Sequence, residues 1–194
     1  MTTPAVSPVC SNSRECWRQS PPTHSVELVA FTLEEPPYFR TDSMGSFWHA
    51  RELRRTNREV RLMLSLEMIG FYSDAPKSQA YPVAALKLLY PDRGDFIAIV
   101  APLGDFSDTR RVKGLFRGAS DLPAVSINAP PALQGVDFSD HASYWHFGMP
   151  AMMITDTSFF RNRNYHEAGD TPETLDYARM AKVVRAVHAV AMDF

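Results

Sequence analysis

The stretch "VELVAFTLEEPPYF", residues 26–39, runs through apolar and β-branched positions, halts at Glu34 and Glu35, and meets two prolines. Pro36 and Pro37 bar continuation of either a helix or a central strand. The run therefore reads as a buried strand with two adjacent carboxylates at its carboxyl end, where open α/β sheets bind their ligands. Working outward, similar strand-like runs recur as "VRLMLSLEMI" (60–69), "DFIAIVAPL" (95–103), "AVSIN" (124–128) and "AMMITDT" (151–157). Helical patterns separate them, in "SFWHARELRRTN" (46–57) and "SDTRRVKGLFRGA" (107–119). Strands apolar on nearly every residue, alternating with helices, predict an α/β sandwich: a mostly parallel, mixed central sheet covered by helices on both faces.

The composition narrows the function classes. The chain has 194 residues, of which 45% are hydrophobic and 11% aromatic, enough to bury a core in one domain. A formal net charge of -2 and a pI near 6.3 supply no basic field for nucleic acid. No apolar run reaches the roughly 18 residues of a membrane span, and no signal-peptide pattern opens the chain, so it reads as cytoplasmic as given. Cys10 and Cys16 both lie in the polar opening segment and support neither a disulfide framework nor a cysteine zinc site.

Residues 1–21 are rich in Ser, Thr and Pro without apolar periodicity and read as a loose tail, with the ordered domain over 22–194. The closing segment predicts a helix from Pro172 to about Ala191, with Thr171 as N-cap and Leu175, Ala178, Met180, Val183, Val184 and Val187 at helical spacing. That spacing reads as core packing.

The ionisable residues gather at strand ends. Glu34 and Glu35 end the first run, Glu67 lies near the end of the second, Asp140 and His141 follow "AVSIN", and His166 and Asp170 follow "AMMITDT". Each has a plain structural reading. A Glu–Glu pair after a strand is more often a solvated turn, "SDHASYW" is read alone as an N-capped helix, and a single loop histidine is usually at the surface. Glu67, set among Leu66, Met68 and Ile69, needs either an arginine or a metal, with even odds between them. Together, carboxylates and a histidine form the non-sulfur donor set of zinc. With one glutamate as ligand and its neighbour as general base, such a set suits metal-assisted amide hydrolysis.

Four blocks then carry a resemblance: "VAFTLEEPPYF" (29–39) followed by "MGS" (44–46), "LEMIGFYSD" (66–74), "SDHASYWHFGMPAMMITDT" (139–157) and "RNRNYHEAGDTPETLDY" (161–177). In content and order they resemble the zinc-dependent exopeptidases of metallopeptidase family 28, which include bacterial leucyl aminopeptidases and, more distantly, glutaminyl cyclases. The resemblance implies a two-zinc site on an α/β sandwich that removes N-terminal residues from peptide substrates. Glu34 is then similar to the general base. Glu35, Glu67 and His166 match metal ligands, and Asp140, His141, Tyr165 and Asp170 fall at supporting or substrate-binding positions.

Members of that family also carry, ahead of the paired glutamates, a histidine ligand and an aspartate bridging the two metals. Residues 1–21 offer no counterpart. The expectation is therefore the C-terminal portion of the peptidase domain, with an incomplete zinc site and impaired hydrolysis. Alternatives are a non-catalytic remnant of the same fold, serving as an interaction module, and a glutaminyl cyclase-like enzyme. Oligomeric state and residue preference are left open by the sequence. Relatives of this kind are often exported.

Overall fold

The computed structural model describes Pro22 and residues 24–194; the loose tail expected over 1–21 lies outside the described residues. Among the described residues, eight regular elements follow in order: α1 (Gly45–Arg55), β1 (Met63–Glu67), β2 (Ile97–Ala101), α2 (Phe106–Ala119), β3 (Ala124–Asn128), α3 (His141–His146), β4 (Ala151–Thr155) and α4 (Tyr177–Asp193). Short 3-10 turns cover Ala84–Leu88, Ser158–Phe160 and Pro172–Thr174.

The four strands form one sheet in the order β1-β4-β2-β3. β1 runs parallel to β4 and β2 parallel to β3, while β2 and β4 are antiparallel, so the sheet is mixed. All five residues of β2 and all five of β4 are buried, as the unbroken apolar runs "IAIVA" and "AMMIT" require of central strands. Helices cover both faces. On one, Val112 and Phe116 of α2 and Val183, Ala186 and Val190 of α4 pack against Ile97, Ile99, Met152 and Ile154. On the other, Ala50 and Leu53 of α1 and Tyr144 of α3 pack with Ala151. Buried positions recur at helical spacing in each, for example Val183, Ala186 and Val190, so the apolar stripe of each helix decides which way it faces.

Two expectations are corrected. Val26–Leu33 is not a strand: the chain there belongs to no sheet, and Leu28, Val29 and Leu33 are exposed. Its pattern suits a strand, but a strand exists only when an edge accepts its hydrogen bonds, and none does here. The closing helix begins at Tyr177 instead of Pro172. Leu175 is extended (ψ 138°), which separates the Pro172–Thr174 turn from α4, and the Asp176 side chain caps α4 by accepting from the Arg179 N–H. Thr171 makes no side-chain cap bond.

Candidate functional site

The carboxyl ends of β1 and β4 place the acids. β1 ends at Glu67, and Met68 then takes a left-handed conformation (φ 51°) that turns the chain off the sheet. The Ser139 hydroxyl donates to Glu67 Oε2 at 3.0 Å, and the Ser65 and Ser139 hydroxyls are 2.7 Å apart. Glu67 thus has a hydroxyl partner where the sequence reading allowed an arginine or a metal. Serine was not foreseen because it is 72 residues away in the chain.

Leu33 is also left-handed (φ 61°), and the chain beyond it passes through a cis Pro36–Pro37 peptide. Glu34 is half-buried while Glu35 is exposed, so the adjacent glutamates diverge. Glu34 turns toward Glu67 and Asp140. Burial, and then repulsion from Glu67, Asp140 and Glu35, push its carboxyl up to about 8. Glu67 is raised chiefly by burial, with the Ser139 hydrogen bond opposing and Asp140 and Glu35 adding repulsion. Asp140 is raised by burial and eased by a hydrogen bond from Ser46. Its Oδ1 is buried without a hydrogen-bond partner.

Glu35 meets His166 across the site, with Oε1 3.2 Å from His166 Nε2. His166 is itself left-handed (φ 61°) and stacks on Tyr165, ring centroids 4.0 Å apart. Tyr165 is raised chiefly by burial and further by the charges of Glu67, Glu35 and Glu34, so its phenol stands beside the acids. Asp170 accepts from Asn162 Nδ2 at 2.8 Å and ties down the ends of the loop that carries Tyr165 and His166.

His141 lies elsewhere. It is fully buried, bonded through Nε2 to the Val136 carbonyl at 2.8 Å and set edge-on to Trp145. The Nε2–H donates to that carbonyl, and burial holds the ring neutral, its pKa down to about 4. Asp156, which the sequence reading passed over, closes the β4 end: its buried carboxylate accepts from the backbone N–H groups of Gly70, Phe71 and Ser158. An acid directly after a fully buried strand was the available signal.

The site is short of positive charge. Among the described residues, Glu34, Glu67 and Asp140 form no ion pair, and Glu35 has only His166. Mutually repelling carboxylates, one with an orphaned buried oxygen, are the donor chemistry a divalent cation neutralises. The donors are not drawn together, however: among the described residues no three His, Cys, Asp or Glu side chains are grouped as a metal site. Beside Glu67 and Tyr165 opens an apolar cavity of about 110 Å³, lined also by Phe96, Tyr81, Tyr90 and Phe138. Among the described residues, no helix is long and apolar enough to cross a membrane.

Comparisons with known proteins bear on the family and the fold. The family model described as peptidase family M28 matches residues 7–191. The uncharacterized protein YfbL of Escherichia coli is 51% identical over 169 residues, covering 87% of this chain and 51% of YfbL. Leucine aminopeptidase 1 of Ajellomyces dermatitidis is 26% identical over 183 residues, covering 92% of this chain and 41% of that protein. The LapA aminopeptidase of Legionella pneumophila shares the fold, with a TM-score of 0.55 at 18% identity, over 76% of this chain and 34% of that one. The chain thus spans about half the length, or less, of these curated relatives.

Proposed function

The chain belongs to peptidase family M28, and from that premise we propose that it carries the proton-transferring half of a zinc-dependent aminopeptidase site. The observation that carries the reading is Glu34, a half-buried carboxylate facing Glu67 and Asp140 while its neighbour Glu35 turns to His166. Glu35, His166 and Glu67 are the residues that would hold the metal, and Asp140 has a free oxygen to add. When bound, zinc supplies Lewis acidity and the positive charge these acids lack.

The protein's own groups divide the remaining work. Glu34 takes the proton of the water that attacks the scissile carbonyl and returns it to the departing amine nitrogen. The acid cluster attracts the substrate's α-ammonium group. The cavity beside Glu67 and Tyr165 receives the first side chain; at about 110 Å³ and apolar, it suits an aliphatic or aromatic group. Tyr165 stands at its mouth, where its phenol could donate to oxygen as charge develops.

One observation favours a weaker outcome. Because no three donors are grouped among the described residues, this chain alone should bind zinc loosely and hydrolyse slowly. A retained fold without catalysis is the second reading. The deciding experiment is hydrolysis of leucyl and phenylalanyl anilides by the full chain with added zinc, with zinc stoichiometry measured in parallel. Turnover that requires zinc and disappears in Glu34→Gln supports the peptidase reading. A folded chain with neither tight zinc nor turnover supports the non-catalytic one.

A further inference from the structure

The stretch "PVAALKLLYP", residues 82–91, is apolar throughout except for Lys87. Val83 is extended, and Ala84–Leu88 closes a single 3-10 turn in which the Leu86 N–H donates to the Val83 carbonyl and the Leu89 and Tyr90 N–H groups donate to the Leu86 carbonyl. No residue of that turn is buried. Leu88 is 87% and Leu89 77% exposed, and Val83, Ala84 and Ala85 lie open beside them. Among the described residues no other adjacent pair of large apolar side chains is as open. Single exposed apolar residues are ordinary, whereas several gathered in one place mark a contact surface.

The turn is held firmly from behind. Leu86, the one residue of 83–89 that is not exposed, lines the apolar cavity with Tyr81, Pro82 and Tyr90. The Tyr81 and Tyr90 rings lie 6.0 Å apart; the Tyr81 hydroxyl donates to the Pro91 carbonyl, and that of Tyr90 to the Ser126 carbonyl of β3 at 2.8 Å. The flanking backbone is tied as well, the Ala80 N–H donating to the Phe160 carbonyl and the Gln79 N–H to the Asp92 carbonyl. A turn anchored in this way presents Leu88 and Leu89 in fixed positions, so a partner meets them at little ordering cost.

The lysine selects the kind of partner. Lys87 stands exposed between Leu86 and Leu88 and makes no ion pair among the described residues. The acids that follow in the chain, Asp92 and Asp95, lie at the base of the segment, where their charges act on Tyr81. In a two-fold contact with a second copy the patch meets itself, which brings Lys87 toward Lys87 among apolar groups with no acid to offset the charge. A lipid surface accommodates both kinds of group. The leucines enter the boundary of the acyl region, while the lysine stem lies along them and its ammonium group reaches the headgroup phosphates.

We propose that residues 83–89 form a membrane-docking turn: Leu88 and Leu89 insert shallowly into a bilayer surface that carries anionic lipid, and Lys87 pairs with its phosphates. The contact is peripheral and involves no spanning helix. Docking sets the wall of the cavity formed by Tyr81, Leu86 and Tyr90 directly behind the lipid surface. This role goes beyond the hydrolytic reading and does not depend on it.

The test is flotation of the full chain with vesicles of phosphatidylcholine containing phosphatidylglycerol, over a range of lipid concentrations. The parent is expected to float with them. Leu88→Ser combined with Leu89→Ser lowers the apparent affinity at least about ten-fold, since two apolar side chains no longer leave water. Lys87→Glu lowers it about five-fold or more, and added salt weakens the parent in the same direction. Leu103→Ser, at an exposed leucine outside the turn, leaves it unchanged. All these positions are exposed, so thermal melts should show each variant folded like the parent. A parent that does not float overturns the proposal, as does affinity that survives the two serines, is unchanged by Lys87→Glu, or falls equally in Leu103→Ser. Sedimentation velocity without vesicles is the remaining check. Self-association that the two serines abolish assigns the turn to a second copy and also overturns it.

Discussion

His166 Nε2 stands 3.2 Å from Glu35 Oε1, joining loops 131 residues apart in the sequence. Both side chains are exposed, so as a bare ion pair the contact adds little stability. Its value is positional, in setting an imidazole beside a carboxylate.

If these two groups share a cation, His166→Ala lowers zinc affinity without unfolding the chain. A loss of at least about ten-fold is expected, since even residues that merely support metal ligands are worth 10–100-fold. Calorimetric titration of zinc into the two proteins, alongside thermal melts, checks this. Unchanged affinity would remove His166 from the ligand set.

Asp156→Ala should destabilise by about 3 kcal/mol, because it strands the buried N–H groups of Gly70 and Ser158 and the half-buried one of Phe71 at once. Urea unfolding measures the loss. These bonds clamp the turn after β1 to the turn after β4, so the substitution should also disturb Tyr165 and His166, which follow in the same loop.

His141 sets an acid limit on stability. Its folded pKa, down to about 4, lies below the unfolded value of 6.5, so the unfolded chain takes up a proton that the folded chain refuses. The stability this group contributes is complete above about pH 6.5 and is lost as pH falls toward 4, about 3 kcal/mol over the window. Asp156 works the opposite way: burial lifts it to about 6, so its contribution grows as pH falls. His141→Gln retains a donor for the Val136 carbonyl and removes the titration. Its denaturation midpoint should fall less between pH 6.5 and 4 than that of the parent, and an equal fall would contradict the assignment.

Gly94 is required by Arg161. A Cβ at Gly94 would lie 2.5 Å from Arg161 Cδ. The arginine is held in place by bonds from Nε to Gln79 and from Nη1 to the Phe71 carbonyl, and by the Phe96 ring. Gly94→Ala should cost about 1–3 kcal/mol by overpacking. In an Arg161→Ala background the same change should be nearly neutral, a coupling that a double-mutant cycle measures.

Much of this was legible in the residues. β2 and β4 read as buried strands because nothing polar interrupts "IAIVA" or "AMMIT", and the stripes of α2 and α4 show their inward faces. The start of α4 was misread because Thr171, Pro172 and Glu173 resemble a helix start, yet they close only a 3-10 turn before the extended Leu175. His141 looked like a site residue for its neighbour Asp140. Chain proximity placed it near the acids, while packing against Trp145 turned it into the core.

By itself the sequence determined the class of fold and the family, and it marked Glu67 at the end of its strand, because periodicity and motif are local properties of the chain. Tertiary structure alone decided the partners: Ser139 on Glu67, His166 on Glu35, three backbone N–H groups on Asp156, and no sheet for Val26–Leu33. A hydrogen bond or a strand pairing needs a second group brought from far along the chain. Residue type can specify the need for that group, but only the packed fold supplies it.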